Sequence, residues 1–174
     1  IPCPNPVVMD SSQLYFFCIM YNRNICSNSG RTFIQNKATD RSRAMNIKQE
    51  LKKRVGFMDQ IRLNDLEIDP LTIKAIMINE VVPADSAQDF YGEPDADYLK
   101  TTIPLFQKAG IEVNNIQDIL KKGIYITNAV KTPKSDYTIE RSSIENSLPY
   151  LEHEIALFPN VKVIMLMGDV AKKS

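Results

Sequence analysis

The sequence lacks tryptophan, and it contains one histidine, six glycines and no long apolar segment among its 174 residues. A membrane-spanning helix needs about 20 consecutive apolar residues, so the missing apolar run argues against such a helix and predicts a soluble protein. No basic stretch followed by an apolar run and a small-residue cleavage site is recognisable, and we therefore expect a cytoplasmic location. The formal net charge of +0 argues against a general binder of polyanions.

Cysteine is scarce and confined to the start of the sequence, at Cys3, Cys18 and Cys26. An odd number of cysteines without a recognisable secretion signal argues against a disulfide framework. A closed structural zinc site uses four ligands with paired spacing, whereas these three cysteines form no pair and have no histidine nearby. We expect free thiols rather than bound zinc here; a zinc module that binds a partner is the alternative.

Charge is unevenly distributed despite the zero sum. Residues 20–54 contain nine basic side chains and only two acidic ones. Such a segment can contact phosphates, although a solvated helix face is the commoner reason for a basic run. Apolar residues at helical spacing predict a basic helix over residues 40–58. We treat residues 1–70 as an N-terminal extension that combines an irregular cysteine-containing segment with this helix.

Regular structure is predicted after the extension. Three apolar segments, residues 72–78, 124–130 and 161–167, are typical of buried strands, and helical patterns separate them. Buried strands that alternate with helices predict a mostly parallel sheet covered by helices on both faces. Residues 71–174 are therefore expected to form a three-layer α/β/α domain, with further sequence needed after the last strand to complete it.

Ligands of open α/β sheets bind beyond the carboxyl ends of the strands. Asn128 lies at that end of the second predicted strand, where a buried strand would favour another apolar residue. Its amide offers a donor and an acceptor side by side, which matches the edge of uracil and mismatches that of cytosine. The pattern alone leaves open whether Asn128 reads a base or bonds to the neighbouring backbone.

Several segments together resemble the uracil-DNA glycosylase superfamily, especially its bacterial and archaeal iron–sulfur branch. The segment "YITNAVKTPK" and the later "SLPYLEHEIALFPNVKVIMLMGDVA" resemble one block of that family. Upstream, "INEVVP" resembles its first motif, usually Gly-Glu-x-Pro-Gly, and "DFYGEPDADYLKTTIPLFQKAGI" resembles the segment with an aromatic residue and a leucine-bearing helix. The resemblance covers about residues 72–173 in consistent order.

The resemblance implies a uracil-DNA glycosylase-like fold and hydrolysis of the N-glycosidic bond of uracil or another deaminated base in DNA, as in base-excision repair. It implies that Glu80 acts on the attacking water, that Asn128 reads the base edge and that Phe90 stacks on the flipped base. Lys131 and Lys134 would meet DNA phosphates, with solvated lysines as the alternative. We expect damaged DNA as the partner, no membrane, a monomer, and no metal in the chemistry.

The sequence also departs from the family pattern. Asn79 stands where glycine is usual, and one extra residue separates Glu80 from Pro83. Thr132 and Ser147 occupy positions of the cluster cysteines, so we expect no iron–sulfur cluster. The later histidine motif of the superfamily does not occur in the sequence. These departures favour the alternative function, a catalytically silent member of the same fold that binds nucleic acid or a nucleotide.

Overall fold

A computed structural model of the chain describes residues 16–20, 44–56, 58–133 and 139–173. Its strands are β1 (Phe16–Met20), β2 (Met45–Asn46), β3 (Glu67–Ile68), β4 (Ala75–Val81), β5 (Ile124–Val130) and β6 (Val163–Met167). Its helices are α1 (Ile47–Val55), α2 (Asp97–Lys108), α3 (Ile116–Lys121), α4 (Arg141–Ala156) and α5 (Asp169–Lys173). None of the described helices is both long and apolar enough to cross a bilayer.

The central sheet has four strands in the order β1-β6-β4-β5. Strand β4 pairs in parallel with both β5 and β6, which confirms the three predicted parallel strands and the α/β fold class. The first of these strands starts later than the sequence predicts, because Pro70–Thr72 form a 3₁₀ turn. The Asp69 side chain accepts a hydrogen bond from the Leu71 N–H at 2.9 Å and stabilises this turn.

Each face of the sheet is covered by helices and carries its own apolar core. On one face, Met77 and Ile126 pack with Leu99 of α2 and Ile119 of α3, among other residues. On the other face, the alternate strand residues pack against α1 and α4, with Ile76, Tyr125, Leu51 and Leu151 among the buried residues. Successive strand residues point to opposite faces, so both faces are apolar and the strands read as continuous apolar runs.

Part of the N-terminal region belongs to this same fold. Strand β1 pairs antiparallel with β6 at the edge of the sheet. Helix α1 begins after Asn46, whose side chain accepts a hydrogen bond from the Gln49 N–H at 3.0 Å, and it buries Ile47 and Leu51 completely. Helix α1 thus shares a core with strands β4 and β5.

The basic helix is shorter and better neutralised than the sequence predicts. It spans Ile47–Val55 and ends at Gly56, whose φ of 102° lies in the left-handed region that favours glycine. Lys48 pairs with Asp65 at 3.0 Å, and Arg54 pairs with Glu50 at 2.9 Å. These exposed pairs contribute little stability, but they offset part of the positive charge that suggested phosphate contacts.

Candidate active site

A cavity of about 550 Å³ opens beyond the carboxyl ends of β4 and β6, beside α2. It lies where ligands of open α/β sheets are expected to bind. The residues that line it include two aromatic rings, one amide, two carboxylates and a glycine: Phe90, Tyr98, Asn79, Glu80, Asp169 and Gly168. The cavity is therefore apolar on one side and polar at the strand ends, which is the usual character of a small-molecule or nucleobase site.

The carboxylate of Glu80 is held at the cavity by the turn that follows β6. Glu80 is exposed, and its Oε1 accepts a hydrogen bond from the backbone N–H of Val170 at 3.1 Å. Gly168 makes this approach possible, because a Cβ at that position would collide with the Glu80 carboxyl group. Gly168 also has a φ of 92°, which disfavours any other residue. The close Glu80 carboxyl group and the positive φ therefore both favour glycine at position 168.

Two aromatic rings form the apolar wall of the cavity. The ring centroids of Phe90 and Tyr98 lie 5.1 Å apart, and the planes are tilted by 56°. The Tyr98 hydroxyl donates to the Val81 carbonyl at 2.7 Å, which fixes the ring against the end of β4. Burial raises the pKa of Tyr98, and the charges of Asp89 and Glu80 raise it further, so the hydroxyl remains a donor.

The segment that carries Phe90 is anchored on the outer edge of β5. The Tyr91 hydroxyl donates to the Ile126 carbonyl at 3.1 Å and accepts from the Ile126 N–H at 3.0 Å. It therefore pairs with backbone groups at the edge of the sheet, where the Ile126 carbonyl also accepts from Asn64 Nδ2 at 3.2 Å. Burial raises the pKa of Tyr91 well above its usual range, which keeps this hydroxyl protonated. The anchored segment places Asp89 and Phe90 beside the end of β5.

Asn128 is buried beside the cavity and does not line it. Its side chain is 1 % exposed, and its Nδ2 donates to Asp89 at 3.1 Å (Oδ1) and 3.3 Å (Oδ2). The Asn128 Oδ1 is buried and has no partner among the described residues. Asp89 also accepts a hydrogen bond from the Phe90 N–H at 2.9 Å. Burial raises the pKa of Asp89, whereas these hydrogen bonds and the charge of Lys131 lower it.

Lys131 lies in the core, where it cannot reach a phosphate. Its side chain is 2 % exposed, and its ammonium group donates to Thr127 Oγ1 at 2.5 Å and pairs with Glu154 of α4. The other oxygen of Glu154 accepts from the Tyr125 hydroxyl at 2.6 Å. The expected phosphate contact of Lys131 is therefore wrong for this structure, because the charge is already neutralised inside the protein. Lys134 lies outside the described residues.

Comparison with known families identifies the fold. Residues 88–174, half of the chain, match the family described as the uracil DNA glycosylase superfamily. The chain belongs to this superfamily. No match was found among curated proteins or among solved structures. The matched region includes the Phe90 segment, β5, α4 and β6, whereas β4 and Glu80 precede it.

The residues present do not fit the cluster of the iron–sulfur branch of the superfamily. Ser147 accepts a hydrogen bond from the Lys131 N–H at 2.8 Å and donates to the Ser143 carbonyl at 2.6 Å. The hydroxyl groups of Ser147 and Thr132 cannot replace the thiolates that hold such a cluster. Within the part of the chain that the structure describes, no three His, Cys, Asp or Glu side chains group as metal ligands would. Cys3 and Cys26 lie outside that part.

Of the residues that the superfamily resemblance singled out, the structure brings Glu80 and Phe90 to one cavity. It does not bring Asn128 into that cavity. Sequence reasoning treated Asn79 only as a departure from the family pattern and missed Asp89, although Asp89 directly precedes Phe90. The sequence signal for Asn79 is its place in the first motif, where it replaces the usual glycine. Its position opposite Asn128 is visible only in the sheet.

Proposed function

We propose that this chain is a DNA glycosylase that hydrolyses the N-glycosidic bond of uracil or of another deaminated base in DNA. One observation carries the proposal: a carboxylate, Glu80, and an aromatic wall, Phe90 with Tyr98, share one cavity at the carboxyl ends of the parallel strands. Membership of the superfamily supports it. The proposal extends to a monomer that acts in the cytoplasm.

The cavity suits a flipped nucleotide. A base inside a duplex is inaccessible, so a glycosylase must extrude it and hold it against apolar or aromatic side chains. Here the rings of Phe90 and Tyr98 would contact the face of the base. The polar side of the cavity, which includes Asn79 and Glu80, would face its edge and the sugar.

Glu80 would act on the sugar and on water. The bond between C1′ and the base nitrogen breaks with its electron pair going to the base, so positive charge develops at the sugar. A fixed carboxylate stabilises this charge, and it is better than solvent because it needs no reorganisation. Water then bonds to C1′, Glu80 accepts the proton of that water, and the released base takes a proton from solvent. The bond from Val170 N–H to Oε1 leaves Oε2 for the water.

DNA would approach over the mouth of the cavity. Lys172 of α5, which lines the cavity and lies 3.3 Å from Asp169, provides a basic group there. Lys134 stays the proposed phosphate contact, and Lys131 is withdrawn from this role because of its burial. Phosphate contacts of this kind position the nucleic acid without reading its sequence.

The test is release of uracil from a labelled oligonucleotide, with the uracil unpaired or opposite guanine. We expect release by the wild type and a rate about 100- to 1,000-fold lower for Glu80→Gln, which removes the carboxylate and keeps its shape. Glu152→Gln, at an exposed position of α4, is the matched control and should release uracil normally. Equal rates for the wild type and Glu80→Gln would remove Glu80 from the mechanism.

The second candidate function is a catalytically silent member of the superfamily that binds nucleic acid. The burial of Asn128 outside the cavity favours it. Retained binding of the oligonucleotide without base release would support this function and overturn the glycosylase proposal.

A further inference from the structure

Two asparagines occupy partner positions on neighbouring strands at the end of the sheet. Asn79 of β4 is aligned with Asn128 of β5 in the parallel ladder. The Nδ2 of Asn79, a donor, and the Oδ1 of Asn128, an acceptor, are both buried and have no partner among the described residues. Buried polar atoms are nearly always hydrogen-bonded, so two complementary unpaired groups at adjacent positions require an explanation.

The orientation of the Asn128 amide follows from Asp89. An ionised carboxylate can only accept hydrogen bonds, so Asn128 must turn its Nδ2 toward Asp89. Both Asp89 oxygens lie within 3.3 Å of that nitrogen. The Oδ1 of Asn128 is then the atom left for Asn79, whose Nδ2 is the matching donor. The same reasoning leaves the carbonyl oxygen of Asn79 for the cavity that this residue lines.

We propose that Asn79, rather than Asn128, reads the edge of the bound base, and that Asp89 and Asn128 are positioning residues that orient its amide. This inference rests on the proposed function. In the structure the two asparagines are not hydrogen-bonded to each other, and we expect the bound base to press the Asn79 amide against Asn128. Polar contacts of a free enzyme are often long and tighten only in the complex.

The carbonyl oxygen of Asn79 would select bases that carry a ring N–H. Uracil and hypoxanthine have a hydrogen on the ring nitrogen beside their carbonyl group, whereas cytosine and adenine have a bare acceptor nitrogen there. A carbonyl oxygen attracts the first pair and repels the second. This contact would therefore accept uracil and hypoxanthine and reject cytosine and adenine, the bases from which they arise by deamination. Guanine and thymine also carry a ring N–H, so their exclusion would have to come from the shape of the cavity.

Asn128 is a poor direct reader in this arrangement. It is 1 % exposed, and its nitrogen already serves Asp89. A base carbonyl that bonded to this nitrogen would break that bond and leave a half-buried carboxylate with one donor fewer, a change that disfavours the ionised form. The Asn128 Oδ1 is an unpaired acceptor, but it is buried and the residue does not line the cavity. Asn79 needs no such exchange, because its amide nitrogen is unpaired and the residue lines the cavity.

The experiment compares two oligonucleotides in single-turnover release. One contains deoxyuridine, and the other contains the deoxynucleoside of pyrimidin-2-one, which is smaller than uracil and has no hydrogen on N3. We expect the wild type to favour uracil and Asn79→Ala to reduce that preference by about ten- to a hundredfold. Asn128→Ala should slow release and keep most of the preference. The difference between the two leaving groups cancels when ratios are compared across variants.

A preference that survives in Asn79→Ala and disappears in Asn128→Ala would overturn the inference and leave the glycosylase proposal standing. If the wild type releases neither base, the glycosylase proposal fails, and affinities for the same two oligonucleotides replace the rates. A uracil preference in binding that depends on Asn79 would then still support the inference. Equal binding ratios for the wild type and Asn79→Ala would overturn it. Circular dichroism of both variants confirms that they are folded.

Discussion

Two sets of buried polar side chains lie on opposite faces of the central sheet, and they differ in how completely their polar atoms are paired. The paired network consists of side chains whose buried polar groups bond to one another: Tyr125, Thr127, Lys131 and Glu154. The amide pair consists of Asn79 and Asn128, each of which keeps one buried atom without a partner among the described residues. Consecutive residues of a strand point to opposite faces, so Thr127 and Asn128 separate the two sets.

This difference indicates different roles. A fully bonded network in the core holds strand β5 against α4, although the desolvation of its charges limits its net contribution to stability. Buried polar atoms without hydrogen bonds lower the stability of the free protein. They gain partners only when a ligand binds. Proteins accept such costs mainly at functional sites. Scaffold and candidate site therefore meet on β5, where Thr127 belongs to the first and Asn128 to the second.

The largest effect is expected in the paired network. Lys131→Met removes the cation and leaves Glu154 charged in the core, which should lower the free energy of unfolding by about 3–5 kcal/mol. Urea unfolding followed by circular dichroism measures this. Lys48→Met, which breaks the exposed pair with Asp65, is the matched control and should cost less than about 1 kcal/mol. Similar losses for the two lysines would show that the buried network does not differ from a surface pair.

Substitutions of the two asparagines in the amide pair should differ in their effect on the free energy of unfolding. Asn128→Leu deprives Asp89 of a donor and should cost about 1–3 kcal/mol. Asn79→Leu removes a nitrogen that has no partner and should leave the free energy of unfolding within about 1 kcal/mol of the wild type, or raise it. Thermal unfolding of the two variants, which have the same new side chain, tests this. An equally large loss for Asn79→Leu would mean that its amide is bonded in solution.

Glycine substitutions should separate backbone strain from displacement of Glu80. Alanine at Gly168 or Gly56 must adopt a φ of 92° or 102°, which should cost about 1–2 kcal/mol in each case. Only at Gly168 does the new Cβ collide with Glu80, whereas nothing lies within 4 Å of it at Gly56. Both variants should lose stability, and only Gly168→Ala should lose base release. A loss of release in Gly56→Ala as well would point to general destabilisation.

The sequence predicts the scaffold better than the site because the two depend on different information. The apolar runs at β4, β5 and β6 report local burial, and the helices between them fix a parallel order. The burial of Lys131 is not predictable from the local sequence, because its partner Glu154 lies 23 positions later on α4. The local pattern around Lys131 does not indicate this pairing. Asn79 and Asn128 are likewise brought together only by the register of two strands that are far apart in the chain.

The smallest expected effect concerns the carboxylate that orients the amide pair. Burial raises the pKa of Asp89 above its usual 3.8, whereas hydrogen bonds from Asn46 and Lys48 lower the pKa of the exposed Asp65. As pH rises from about 3.8 to the raised pKa, the unfolded chain has released a proton that folded Asp89 retains, so this interval removes stability.

The free energy of unfolding of the wild type relative to Asp89→Asn should therefore fall as pH rises through that interval. Relative to Asp65→Asn it should increase between the lowered pKa of Asp65 and 3.8, by a small amount because solvent screens an exposed pair. Urea unfolding of the three proteins between pH 3 and pH 7 measures both slopes. Slopes of the same sign would contradict the raised pKa of Asp89 and would show that the hydrogen bonds from Phe90 and Asn128, with the charge of Lys131, outweigh burial at this carboxylate.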